Sequence, residues 1–149
     1  MDLVQLLGHV ELFDGLNEGE FGRLAVICHE ETFGKDQVIF SQGQAGDRLY
    51  IVREGFVEVI IGHGADGPDT PKSIVNLGMG QVFGEMALVD RGVRSATVRS
   101  VTPRTVVDGI RRDDFIALCD GDTRLGYVVM RNLAADLSFK LRHRNLSRR

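Results

Sequence analysis

The spacing of apolar residues changes twice along the chain, from a helical period of about 3.6 to a strand period of about 2 and back again. Leu3, Leu6, Leu7 and Val10 fall at i, i+3, i+4 and i+7, one face of a helix. Gly15 interrupts, and Asn17 then offers an N-cap with Glu20 three residues on, the spacing of a capping box. Phe21, Leu24, Ala25 and Cys28 repeat the helical template, which predicts a second short helix. From about Glu30 short β-branched runs take over: Gln37–Ser41, Arg48–Arg53, Phe56–Ile61, Ser73–Leu77, Ser95–Val101 and Thr105–Ile110, with a further strand ending near Phe83. Eleven of the 18 glycines lie between Gly34 and Gly92 and punctuate these runs, so an all-β barrel or sandwich is expected, not a parallel α/β sheet. Gly62–Lys72 (GHGADGPDTPK) reads as a hairpin loop.

Helix returns at the end. Asp113 can cap a short helix through Cys119, Gly121 breaks it, and Asp122 can cap a longer one reaching about Asn145. On that helix Leu125, Val129, Leu133, Leu137 and Leu141 recur every four residues. Each such step drifts by about 40° around the axis, so the stripe turns along its length. Its first half is expected to pack on the domain and its second half to face a ligand or a partner helix. The expected organisation is one domain over 1–149: helices over 1–29, a barrel over 30–111, and a C-terminal helix pair over 112–149.

Composition narrows the function. With 43% hydrophobic and 26% charged residues, the 149-residue chain has the make-up of a globular protein. No run approaches the roughly 18 apolar residues of a membrane span, and the N-terminus lacks a secretory pattern, which points to the cytoplasm. Cys28 and Cys119 both lie in apolar helical patterns and read as reduced, buried thiols. The net charge of −3 hides an asymmetry: residues 140–149 hold five basic side chains and no acid, which leaves a body of 13 basic and 21 acidic groups. A body with a net charge of −8 is a poor general nucleic-acid binder, and cations on a last helical turn also complement the helix dipole. The tail's Arg-His-Arg-Asn-Leu-Ser resembles a weak basophilic kinase site at Ser147. An enzyme is not expected. The four histidines are scattered, no nucleophile–base pair is visible, and Gly78–Gly84 misses the dinucleotide fingerprint by one residue. No metal or cofactor is expected either.

The chemistry concentrates in Gly80–Val98, GQVFGEMALVDRGVRSATV. Gly84 permits a sharp turn into Glu85-Met86-Ala87-Leu88, whose first amides suit an anion. Glu85 supplies a carboxylate fit for a sugar hydroxyl, and Arg94 supplies a planar cation fit for phosphate oxygens. An isolated Glu and Arg in a turn commonly make a surface ion pair. The apolar flanks Val82, Phe83, Met86, Ala87 and Leu88 argue instead for an enclosed setting, where such charges need partners.

FGEMAL followed by RSATV resembles the phosphate-binding cassette of the cyclic nucleotide-binding domain family. Val38–Ser41 before Gly43, Gly46-Asp47 before Leu49–Val52, and Gly55 before Val57-Glu58-Val59 resemble that family's β-roll. Leu12-Phe13 with Leu16 resembles its helical start, and the likeness covers about residues 10–142. Val93 stands where many eukaryotic members have Pro. The resemblance implies a mainly β fold, a jelly-roll-like β-roll (double-stranded β-helix) with N-terminal helices and a C-terminal hinge and lid pair.

It further implies that the Gly84 and Glu85 amides and Arg94 hold a cyclic phosphate, with Phe83 and Met86 beside the cradle and Ala87 allowing close backbone approach. Glu85 accepts from the ribose 2′-OH, and Ser95 serves the phosphate or the base. Val59, Val75 and Leu77 line the pocket or belong to the barrel core. Phe139, Lys140, Leu141 and Arg142, alternately apolar and cationic, could cover the base as a lid. The expected ligand is cAMP, favoured over cGMP, sensed by a regulatory module that signals through its C-terminal helix to an effector or a second copy. The alternative is an interaction protein with a vestigial pocket, which retention of both Glu85 and Arg94 disfavours. Many bacterial relatives continue into a helix-turn-helix; here the sequence stops at Arg149, so no DNA-binding domain is expected.

Overall fold

A computed structural model describes residues 1–61 and 73–147, without the side chains of Ser73 and 144–147. The expected loop Gly62–Lys72 and the side chain of Ser147 lie outside the described residues. Strands β1 (Cys28–Phe33), β2 (Val38–Phe40), β3 (Arg48–Glu54), β4 (Val57–Ile61), β5 (Ser73–Leu77), β6 (Val82–Phe83), β7 (Thr97–Ser100) and β8 (Thr105–Arg111) form two antiparallel four-stranded sheets. Their orders are β1-β8-β3-β6 and β2-β7-β4-β5. Helices α1 (Leu3–Gly8) and α2 (Glu18–Val26) precede the roll, and α3 (Arg112–Gly121) and α4 (Thr123–Ser147) follow it. This is the mainly β roll with flanking helices that the sequence led us to expect.

β3 shows how the layers form. Its alternate residues Tyr50 and Val52 meet Phe40, Val57, Phe83 and Val98 between the sheets. Leu49 and Ile51 point the other way, into a second core with Leu7, Phe13, Phe115 and Leu125 from the helices. Each fully buried Leu or Phe contributes about 1.5–3 kcal/mol, so the helices are as firmly seated as the sheets.

The predicted stripe on α4 behaves as its drift requires. Leu125, Val129 and Leu133 are 0–1% exposed, Leu137 is half-buried, and Leu141 is 65% exposed. Asn132 fixes the buried half by donating to the carbonyls of Leu12 and Asp14. The Asn17–Glu20 capping box is present, and the same Glu20 carboxylate receives Arg124 from α4. Asp122 accepts from the Leu125 amide and caps α4 as expected.

Two local expectations are corrected. Cys28 lies outside α2, which stops at Val26; it opens β1 opposite Ile110. β1, CHEETF, escaped notice because it is an edge strand whose outward positions are polar and break the apolar alternation. Asp113 does not cap α3, which begins one residue earlier; it and Asp114 sit in the first turn and complement the dipole. Both cysteines are free and half-buried, and burial pushes the Cys28 thiol up to about 12, which keeps it protonated.

Candidate functional site

The cassette begins where β6 ends. Gly84 has φ +74°, and a Cβ there would lie 2.7 Å from Arg94 Nη1, so both backbone and space demand glycine. It starts a 3-10 turn over Glu85–Leu88, whose first closing bond runs from the Ala87 amide to the Gly84 carbonyl. The Glu85 and Met86 amides precede that bond, so the turn itself gives them no partner. Ala87 is 6% exposed and Met86 47% exposed.

Arg94 arrives from the strand side and is only 7% exposed. Its backbone is clamped to the β2–β3 turn: its amide donates to Gln44 O at 2.6 Å, and Gly43 donates back at 2.9 Å. The guanidinium carbon stands 4.1 Å above the Phe40 ring, within a cluster completed by Tyr50 and Phe83, whose rings stack at 5.1 Å. Nη2 donates to Arg48 O at 2.9 Å, Nη1 weakly to Gly84 O at 3.4 Å, and the buried Nε has no partner. Gly46 closes the other side, where a Cβ would lie 2.7 Å from Nε. Burial holds the Arg94 pKa below the usual arginine range, yet the group stays cationic at any physiological pH. Neighbouring Arg48 has a carboxylate, Asp47, at 2.8 Å; among the described residues Arg94 has none within 4 Å. The site therefore holds a desolvated positive charge that rests on main-chain carbonyls and the Phe40 ring, with the Asp47 carboxylate acting on it only from beyond 4 Å.

Glu85, its side chain 12% exposed, accepts from Lys140 Nζ of α4, which Asp136 also holds at 3.1 Å. Burial opposes the Lys140 charge, but the two carboxylates outweigh it and hold the ammonium above the usual lysine range. The structure thus brings Gly84, Glu85, Arg94 and Lys140 together. Ser95 is exposed beside Arg94. Val59 and Leu77 are half-buried against the inter-sheet core, and Val75, opposite Val59 in register, is 48% exposed at the rim. Phe139 and Leu141 face solvent, and Arg142 donates to Ser138.

Sequence reasoning missed Phe40 and Tyr50 under the guanidinium, and it missed Arg112. Arg112 is 8% exposed, and its Nη1 donates to the carbonyls of Gly46, Ala87 and Asp90 at 3.2, 3.1 and 2.8 Å. One side chain thus pins the cassette turn and the β2–β3 turn to the start of α3. In sequence it reads as half of a surface-like Arg-Arg-Asp-Asp run. Two open depressions of about 430 and 410 Å³ lie elsewhere, one around Phe56 and Thr102 and one around Val26 and Leu118; their lining does not include the cassette.

A buried arginine with no carboxylate within 4 Å among the described residues, near unpaired turn amides and the Glu85 carboxylate, suits an anionic ligand that also carries a hydroxyl. Comparison with known proteins agrees. The family model described as "Cyclic nucleotide-binding domain" matches residues 30–122. The chain belongs to the cyclic nucleotide-binding domain family. The Cyclic AMP receptor protein of Thermus thermophilus is 33% identical over 135 residues, 91% of this domain and 59% of that protein. The crystal structure of the Thermus thermophilus Catabolite Activator Protein superposes with a TM-score of 0.78 at 33% identity, covering 92% of this domain and 61% of that chain. The regulatory domain of Toxoplasma gondii PKA, crystallised with cAMP, gives 0.74 at 29% identity, over 91% of this domain and 48% of that chain. The domain thus spans about three-fifths of the Thermus proteins. The family is a ligand-binding regulatory one, not a catalytic one. Among the described residues, no helix is long and apolar enough to cross a membrane.

Proposed function

We propose that this domain binds a 3′,5′-cyclic nucleotide, with cAMP preferred to cGMP, and reports occupancy through α4. The observation that carries the reading is Arg94, a buried cation with no carboxylate within 4 Å among the described residues, beside a turn that leaves its Glu85 and Met86 amides unpaired. A cyclic phosphodiester is a monoanion, so one arginine and two amides match it in charge. The Gly84 and Glu85 amides and Arg94 hold the phosphate, Glu85 accepts from the ribose 2′-OH, and the exposed Ser95 hydroxyl adds to the phosphate or the base. Val59, Val75 and Leu77 line the base side; Phe83 and Ala87 form the floor, with Met86 at the rim. Residues Phe139–Arg142 are the part of α4 that responds to ligand and passes the signal to an effector or a second copy of the domain. The cytoplasm is the fitting compartment, in keeping with two free thiols. The Cyclic AMP receptor protein of Thermus thermophilus and the cAMP-bound Toxoplasma gondii PKA domain support the preference for cAMP, while the cGMP-dependent protein kinase of Toxoplasma gondii, 33% identical over 100 residues, supports cGMP as the alternative.

Calorimetric titration with cAMP, cGMP and 5′-AMP tests the reading. We expect micromolar or tighter binding of cAMP, weaker binding of cGMP, and no comparable binding of 5′-AMP, whose dianionic, open phosphate does not match the cradle. Equal affinity for 5′-AMP, or no binding of either cyclic nucleotide at millimolar concentration, would refute it.

A further inference from the structure

Two partners draw on the Glu85 carboxylate. Lys140 donates to its Oε1 across 55 residues of sequence, and the proposed ligand contact directs the ribose 2′-OH to the same group. Lys140 loses little by leaving, because Asp136 one turn back also holds its ammonium at 3.1 Å.

Helix geometry makes the exchange a switch. With Lys140 turned toward the cassette, Phe139 and Leu141 lie about 100° to either side of it around the axis. They are 59% and 65% exposed, and Phe139 stacks on His143 at 3.9 Å instead of on the site. Turning either apolar side chain over a bound base swings Lys140 away from Glu85. The two rotations exclude each other.

The end of α4 is also lightly held. Burial fades from Leu133, at 1% exposed, through half-buried Leu137 to Leu141. Among the described residues, the Lys140–Glu85 pair is the polar contact between this end of the helix and the cassette.

We propose that Lys140 is a specificity-determining residue of this site. It latches α4 to Glu85, and the ribose 2′-OH releases the latch by taking the carboxylate. The phosphate anchors the ligand through Arg94, and the ribose hydroxyl moves the helix. A ligand with the phosphate and no 2′-OH binds and leaves α4 latched. The latch also lowers apparent affinity for the ribonucleotide, scaling it by the fraction of time α4 is unlatched. This inference rests on the cyclic-nucleotide reading above.

The test uses the full chain, the variants Lys140→Met and Lys140→Arg, and cAMP against 2′-deoxy-cAMP, read by calorimetry and by hydrogen exchange over residues 133–147. Without nucleotide, Lys140→Met is expected to exchange about tenfold faster over that segment, and Lys140→Arg to match the wild type. Saturating cAMP is expected to change exchange there in the wild type, and saturating 2′-deoxy-cAMP to leave it unchanged. Lys140→Met is expected to bind cAMP about three- to tenfold more tightly, with its 2′-deoxy-cAMP affinity unaltered. Weaker or equal cAMP binding by Lys140→Met, or the same exchange response to both nucleotides, would overturn the latch. A wild type that binds neither nucleotide would defeat the cyclic-nucleotide reading instead. In that case, faster exchange in Lys140→Met without nucleotide would still establish the latch contact, and unchanged exchange would remove it.

Discussion

Replacing Arg94 by methionine separates what this residue does for folding from what it does for binding. Methionine keeps a long, flexible stem and removes the charge. The interactions lost are a charge-assisted hydrogen bond to Arg48 O at 2.9 Å and stacking on Phe40 at 4.1 Å. These contribute about 1.5–3 and about 1–2 kcal/mol. The bond to Gly84 O, at 3.4 Å, adds little. Against them stand the desolvation of a side chain only 7% exposed, several kcal/mol for an ion, and a buried Nε without a partner, about 1–3 kcal/mol. The two sides nearly cancel. Arg94→Met should therefore change unfolding free energy by no more than about 2 kcal/mol in urea denaturation followed by circular dichroism. Binding behaves otherwise, because the anionic ligand loses its countercharge outright: cAMP affinity should fall by about 2–5 kcal/mol, or roughly 30-fold to several thousand-fold. A variant destabilised by more than about 2 kcal/mol, or one that binds cAMP normally, would show that Arg94 is a structural arginine and that the site has been misassigned.

Gly46→Ala tests the same cation sterically: its Cβ would press to within 2.7–2.9 Å of the Arg94 Nε, Cζ and Cδ atoms, so calorimetry should show cAMP binding about 5- to 20-fold weaker, with a loss of roughly 1 kcal/mol or more of stability. Arg112→Met leaves the Gly46, Ala87 and Asp90 carbonyls without their shared donor and should cost about 2–4 kcal/mol in denaturant unfolding, an effect that Arg112→Lys should recover only in part. Burial disfavours ionised Glu20, but the Asn17 backbone bond and Arg124 outweigh it and hold the carboxyl below the usual range. Its contribution is therefore full above the unfolded value of about 4.3 and is lost as pH falls through the lower folded value. Glu20→Gln should flatten the acid limb of a stability–pH curve, and an unchanged limb would refute this.

How much of this was legible in the sequence depends on whether the partners are close along the chain. Gly84, Glu85 and Arg94 lie within eleven residues, so their nearness could be read from the sequence, while their proposed role as a phosphate cradle comes from the resemblance to the family. The roll itself was legible because most inward strand positions are apolar and glycines such as Gly43, Gly55, Gly80 and Gly84 mark the turns between strands. β1 was not, because the pairing that defines it comes from β8, some eighty residues later, and its own side chains are mostly polar. The same reasoning separates the legible half of the site from the hidden half. Phe40, Tyr50 and Gly46 look like ordinary strand and turn residues until β3 and β7 bring Arg94 among them. Arg112 looks like a surface charge until α3 starts beneath the cassette.

Lys140 is the most instructive case. The sequence marked it as one cation in an alternating segment able to approach a base, and the drift of the leucine stripe foretold that this end of α4 would leave the core. Neither fact says which side chain turns inward. A helix advances about 100° per residue, so an error of one position exchanges a lysine for a phenylalanine or a leucine at the site. The buried anchor at Leu125, Val129 and Leu133 sets that phase, seven residues and more before it is used. Control of the helix end therefore lies in packing far from the ligand, and a substitution that rotates the anchor, such as Leu133→Ala, should alter the response of residues 136–147 to nucleotide while leaving the phosphate contacts in place. Hydrogen exchange with and without cAMP over those residues, beside calorimetry on the same protein, would show this, and an unaltered exchange response in a folded Leu133→Ala protein would mean that the phase is set elsewhere.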